Sequence, residues 1–211
     1  MKKTSVLIVI CVLVSLLYWF TDPLFENYLV YSGERLTKGA FWTPITSLFV
    51  HFDLSHLIGN MIFLYVFGRA FEEESGGKVT TVAFFVGGVS SFLASSFYYG
   101  FEVQMIGASA AIFTLAAAAM LVKPLKLSVL FLFVPLGLVA VLYLIFNVFA
   151  VVLGFGGNVG YVAHVAGFTI GIPFGIAFSK GKWVRNLGIT ILLFTAFVAI
   201  LFLLQIVRNF L

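Results

Sequence analysis

Six stretches of the 211-residue chain contain no Asp, Glu, Lys or Arg: residues 4–21, 54–68, 79–101, 103–122, 127–179 and 186–207. A soluble domain, with roughly 25% charged residues spread over its surface, does not carry such runs. Here the charged share is 9% and the hydrophobic share 62%. Runs near the ~20 residues that cross a bilayer predict an all-α fold, a polytopic membrane helical bundle, because a helix satisfies its backbone polar groups without water. The run 127–179 is too long for one span and divides at GFGGNVG, residues 154–160, where four glycines in seven residues suit a turn. Seven spans result. No linker, repeat or low-complexity segment separates them, so residues 1–211 read as a single membrane domain. The first span follows Met1-Lys2-Lys3 without a small-residue cleavage site, and Tyr18-Trp19-Phe20 reads as an interfacial belt and not as part of a signal peptide.

Lys and Arg orient the bundle. With the N-terminus inside, nine of them (Lys2, Lys3, Arg69, Lys78, Lys123, Lys126, Lys180, Lys182, Arg185) fall on inner segments and three (Arg35, Lys38, Arg208) on outer ones. This asymmetry predicts a multi-pass cell-membrane protein with a cytoplasmic N-terminus and the C-terminus outside. It also accounts for the net charge of +4, so no nucleic-acid partner is expected. Cys11 is alone and can neither pair internally nor complete a metal site; no metal or cofactor is expected. The long outer loop from Asp22 to Asp53 carries Phe25, Tyr28, Tyr31, Phe41 and Trp42 and is expected to lie on the outer leaflet against the bundle. EEESGGK, residues 72–78, is expected to be a solvated inner turn.

Four polar groups recur at one depth. His56 and Asn60 open the second span, Ser109 lies near the start of the fourth, and His164 near the start of the sixth. All three spans run from outside to inside, which puts these groups about 5–10 Å below the outer boundary. Singly, each has a structural reading: serine permits close helix approach, and a histidine in a span can simply be hydrogen-bonded. Together they fit acyl transfer, which needs a nucleophile, a base and oxyanion donors. Ser109 can serve as nucleophile and His164 as base, with His56, Asn60 and the Ser109 backbone N–H as oxyanion-hole candidates. No acidic residue lies in these outer half-spans, so a Ser-His dyad is expected. His51 precedes its span and is expected at the interface. Gly167, Gly171 and Gly175, four apart, predict a face of span six that packs closely on Gly107, Ala108, Ala110, Ala111 and Ala116–Ala119 of span four. A proton path through the three histidines finds no relay in the charge-free middles of the spans, and haem ligation by His56 and His164 leaves Asn60 and Ser109 unexplained.

The ordered motifs carry a resemblance. HLIGN (56–60), preceded by the paired histidines of HFDLSH (51–56), GASA (107–110) and AHVAG (163–167) resemble the H-x-x-x-N, G-x-S-G and A-H-x-x-G motifs of the rhomboid intramembrane serine proteases. The resemblance covers about residues 5–180, a six-helix core to which a seventh helix at about 187–207 is added. It implies Ser109 as nucleophile, His164 as general base and His56 and Asn60 in the oxyanion hole. It further implies cofactor-free endopeptidase action on single-span transmembrane proteins near the outer face, a capping loop at Leu153–Gly160, and the Phe-rich fifth span as substrate gate. Three residues depart from the family pattern: Ala110 for the usual glycine, Phe113 for tyrosine, and Thr43 after Trp42 where arginine is frequent. Ala110 is the one feature that fits the alternative, a catalytically weak or inactive rhomboid-like pseudoprotease that binds membrane proteins.

Overall fold

The computed structural model describes residues 2–21, 26–155 and 159–210. Among them the chain is helical, with two isolated bridges, Tyr31 to Met105 and Leu127 to Pro135, and no strand. Seven apolar helices correspond to the uncharged runs: α1 (Lys3–Phe20), α2 (Leu54–Ser75), α3 (Gly77–Tyr99), α4 (Ser109–Val122), α5 (Leu136–Val152), α6 (Tyr161–Phe178) and α7 (Trp183–Phe210). Five are long and apolar enough to cross a bilayer, while α4 and α5 have 14 and 17 residues. The chain is a polytopic, all-helical bundle.

The centre is α4. Every residue from Ala110 to Leu121 is buried, and the chain's smallest side chains let two neighbours close on it. On one side α3 approaches at Gly87, where a Cβ would overlap the Thr114 side chain, and at Gly88, where it would lie 3.1 Å from Ala111 Cβ and also 2.5 Å from Leu48 Cδ2 of the outer loop. On the other side α6 approaches so closely that a Cβ on Gly167 would strike the Ala110 carbonyl oxygen, and one on Gly171 the Thr114 carbonyl oxygen. Gly175 continues the contact against Leu121 Cβ at 2.8 Å from its own ideal Cβ. Thr114 seals the seam by donating its hydroxyl proton to the Gly167 carbonyl at 2.8 Å.

Several boundaries differ from the sequence expectation, each for a local reason. The fourth span begins at Ser109 and not at 103, because Met105 and Gly107 donate their backbone N–H groups to Tyr31 and Ser47 carbonyls (both 2.9 Å) and Gly107 takes φ +104°. Gly107 therefore belongs to the turn before the helix and not to its packing face. The fifth span begins at Leu136, after Pro135, because Leu136 and Gly137 return their N–H groups to the carbonyls of Lys126 and Pro124. Phe131 and Phe133 thus precede the helix, leaving Phe146 and Phe149 as its phenylalanines. Residues 72–78 are solvated only in part and mostly helical: α2 runs on to Ser75 through a π-helical stretch at Leu64–Gly68, and exposed Gly76 at φ +81° makes the corner. Buried Glu72 there caps α1, accepting from the Lys3 N–H (2.7 Å), the Thr4 N–H (3.1 Å) and the Thr4 hydroxyl (2.7 Å). In the expected turn at 154–160 and the capping loop around it, residues 156–158 lie outside the described residues.

The outer loop folds back on the bundle. Tyr31 stacks on Phe92 (5.6 Å, 7°) and shares a hydrogen bond with Ser96 (2.8 Å), while its N–H donates to the Ser47 hydroxyl. Trp42 donates its indole N–H to the Tyr28 carbonyl at 2.8 Å, and Thr43 and Thr46 bond the Ala40 and Leu29 carbonyls, so local bonds anchor the loop with threonine at position 43. Phe41, Trp42, Ile45 and Phe52 remain exposed. Nor is α7 uniformly apolar in its packing: buried Asn186 donates to the Leu121 carbonyl at 2.7 Å, satisfying one of the orphan carbonyls at the end of α4.

Candidate active site

Ser109 is the first residue of α4, held there by the turn before it. The positive φ of Gly107 leaves no room for a side chain, and a Cβ would fall 2.8 Å from His56 Cε1. His51 backs the same turn, its Nε2 facing the Ala108 N–H at 3.5 Å. It is fully buried and not interfacial, since its Nδ1 lies 3.0 Å from the Ser15 hydroxyl, which in turn donates to the Phe49 carbonyl at 3.1 Å. Because that hydroxyl proton is directed to the carbonyl, His51 Nδ1 carries its own proton and Nε2 is left to accept.

His164 comes to Ser109 from α6. Its Nε2 lies 2.7 Å from Ser109 Oγ, across the α4–α6 contact that Gly167 makes possible. The ring stacks face to face on Phe113 (4.6 Å, 11°), which stacks on Tyr143 (4.2 Å, 25°), which stacks on Phe63 (4.7 Å, 24°). The α6 start is itself held: Tyr99 accepts the Val162 N–H at 3.0 Å. His56 accepts the Phe52 N–H at Nδ1 (3.4 Å), which places its proton on Nε2 and makes that nitrogen a donor. Asn60, one turn on and buried, spends one amide proton on the His56 carbonyl at 2.9 Å. Asp53 caps α2, accepting from the His56 N–H at 2.7 Å and the Ser55 hydroxyl at 2.7 Å. Those two bonds, the backbone one first, hold its carboxyl below the usual carboxylate range.

Chemically, this arrangement offers a hydroxyl facing an imidazole, a donor nitrogen on a second imidazole nearby, and the uncompensated N–H groups of a helix start. Among the described residues no three His, Cys, Asp or Glu side chains converge as a metal site. A family model described as Rhomboid domain matches residues 38–181. The chain belongs to the rhomboid family. It is 36% identical over 84 residues to Rhomboid-like protein 11, chloroplastic, of Arabidopsis thaliana, covering 40% of this chain and 30% of that protein. To Rhomboid-like protease 2 of Toxoplasma gondii it is 27% identical over 155 residues, 72% of this chain and 53% of that protein. To RHOMBOID-like protein 12, mitochondrial, of Arabidopsis thaliana it is 29% identical over 90 residues, 43% and 26% respectively. The chain thus spans between 26% and 53% of the length of these curated relatives. The rhomboid match ends before α7 begins at Trp183.

One residue of this rhomboid site escaped the sequence reading. Asn147 on α5 is buried, and its Oδ1 lies 2.7 Å from His164 Nδ1. Its signal was available: it is the one amide side chain between Lys126 and Gly157, and a polar group within a span is a functional candidate by default.

Proposed function

We propose that the protein is an intramembrane serine endopeptidase that cleaves single-span transmembrane proteins near the outer face of the cell membrane. The observation that carries this reading is the 2.7 Å approach of Ser109 Oγ to His164 Nε2, part-buried near the start of two apolar helices. Family membership and the name of the Toxoplasma relative add support. His164 Nε2 takes the Ser109 proton as Oγ attacks the scissile carbonyl carbon, and later returns it to the leaving amide nitrogen. The developing oxyanion is met by the Ser109 N–H, His56 Nε2–H and the second amide proton of Asn60. No cofactor takes part. The excess of basic residues on one side supports a cytoplasmic N-terminus, with the site opening to the opposite side. The six-helix core and the added α7 form one membrane domain.

Labelling of detergent-purified protein with a fluorophosphonate, read by intact mass, tests this directly. Wild type gains one adduct, and Ser109→Ala and His164→Ala gain none. A monodisperse, folded wild type that stays unlabelled would favour a rhomboid-like protein that binds membrane proteins without cutting them.

A further inference from the structure

We infer that Asn147 is the positioning residue of this site, holding His164 in the one tautomer that can act as a base toward Ser109. The inference rests on the protease reading, but its geometry stands independently. Asn147 Nδ2 donates to the Tyr143 carbonyl at 2.7 Å, and a carbonyl can only accept. The amide is thereby oriented, and Oδ1 is the atom that faces His164 Nδ1 at 2.7 Å. An acceptor at that distance requires the proton on Nδ1. Nε2 is then a lone pair, 2.7 Å from the Ser109 hydroxyl, free to take its proton.

The opposite tautomer is the one a free imidazole favours, and it would place a proton on Nε2 where the base must be empty. Asn147 therefore supplies the tautomer control that an aspartate supplies in a Ser-His-Asp arrangement. An amide suits this position better than a carboxylate. The residue is 1% exposed, and an ionised group there would be heavily desolvated, whereas the amide satisfies both of its dipole ends without charge. Around the ring, α4 contributes Ser109 and the Phe113 face, α5 contributes Asn147, and α6 itself contributes the Tyr161 edge at 6.5 Å. Nothing else in these contacts bonds Nδ1. The base is oriented through α5, so the register of α5 against α6 enters the chemistry.

The test uses 15N-histidine-labelled full-length protein in detergent, whose three histidines keep the spectrum simple, with His164→Gln to assign the signal. Wild-type His164 should show a protonated Nδ1 and a bare Nε2. In Asn147→Leu, close in size but without an acceptor, the proton should move to Nε2 and fluorophosphonate labelling should slow roughly 100-fold, the low end of what a positioned base contributes. Asn147→Asp, kept protonated by its burial, can donate its hydroxyl to the Tyr143 carbonyl and present its carbonyl oxygen to Nδ1, and should restore both the tautomer and most of the labelling rate. A merely structural role would not change the tautomer. A wild-type His164 bearing its proton on Nε2 overturns the inference whether or not any variant folds, and so does an unchanged tautomer in folded Asn147→Leu. If wild type is not labelled but the tautomer moves in Asn147→Leu, the positioning role stands and the protease reading falls.

Discussion

Gly167 shows how one missing methyl builds a site. A Cβ there would run into the Ala110 carbonyl oxygen, which is backbone and cannot step aside, so Gly167→Ala must push α6 off α4 and His164 off Ser109. Overpacking of this kind destabilises by about 1–3 kcal/mol, and the expected outcome is a lower midpoint of thermal unfolding in detergent together with loss of fluorophosphonate labelling. The same substitution at Gly59 has the opposite sign. Nothing lies within 4 Å of a Cβ at that helical position, so Gly59→Ala should raise stability by up to about 1 kcal/mol through helix propensity and leave labelling unchanged. Spacing in the sequence identified the glycines of span six as a packing face, but the same residue type at Gly107 serves a turn with φ +104°. Periodicity alone does not separate these uses.

At the scale of elements, the ends of helices carry the specificity. The C-terminal carbonyls of α4 are met by Asn186 from α7, so Asn186→Ala leaves a buried carbonyl unpaired and should lower stability by about 1–3 kcal/mol, read from thermal unfolding, while Asn186→Gln recovers part of it. At the other end of the molecule Asp53 opens α2. Its carboxyl is held below the ordinary carboxylate value, so its contribution to stability is complete above that ordinary value and is lost as pH falls through the depressed one. The unfolding midpoint of wild type should therefore drop at acid pH more steeply than that of Asp53→Asn, which keeps a capping oxygen but does not titrate. Such caps were partly legible: Asp53 before an apolar run is a helix-start signal. Glu72 capping α1 and Asn186 capping α4 join residues 68 and 65 positions apart, and no local pattern announces them.

Across the whole molecule, charge and chemistry occupy opposite ends of α4. Glu73 and Glu74 at the end of α2 pair with Lys123 and Lys126 after α4 and Lys180 after α6, at 2.7–3.1 Å. Ser109 lies a helix length away, about 20 Å at 14 residues. In the proposed orientation the ion-paired end is cytoplasmic. Single cysteines introduced into a Cys11→Ser background at exposed Thr37 and Lys78 should then separate: the Thr37→Cys thiol reacts with an impermeant maleimide on intact cells, the Lys78→Cys thiol only after permeabilisation. Equal reactivity, or the reverse, would refute the orientation. The sequence by itself determined that this chain is a bundle of about seven apolar helices with its polar groups gathered near one depth, because hydropathy, glycine turns and charge bias are local properties that a bilayer reads segment by segment. Only the tertiary structure decided where α4 begins, that His51 is buried, that the outer loop clamps the turn before Ser109, and that α5 delivers an amide to the far nitrogen of His164. Those facts are contacts between residues 17 to 74 positions apart, set by how closely helices with missing side chains can approach, and no sequence period encodes them.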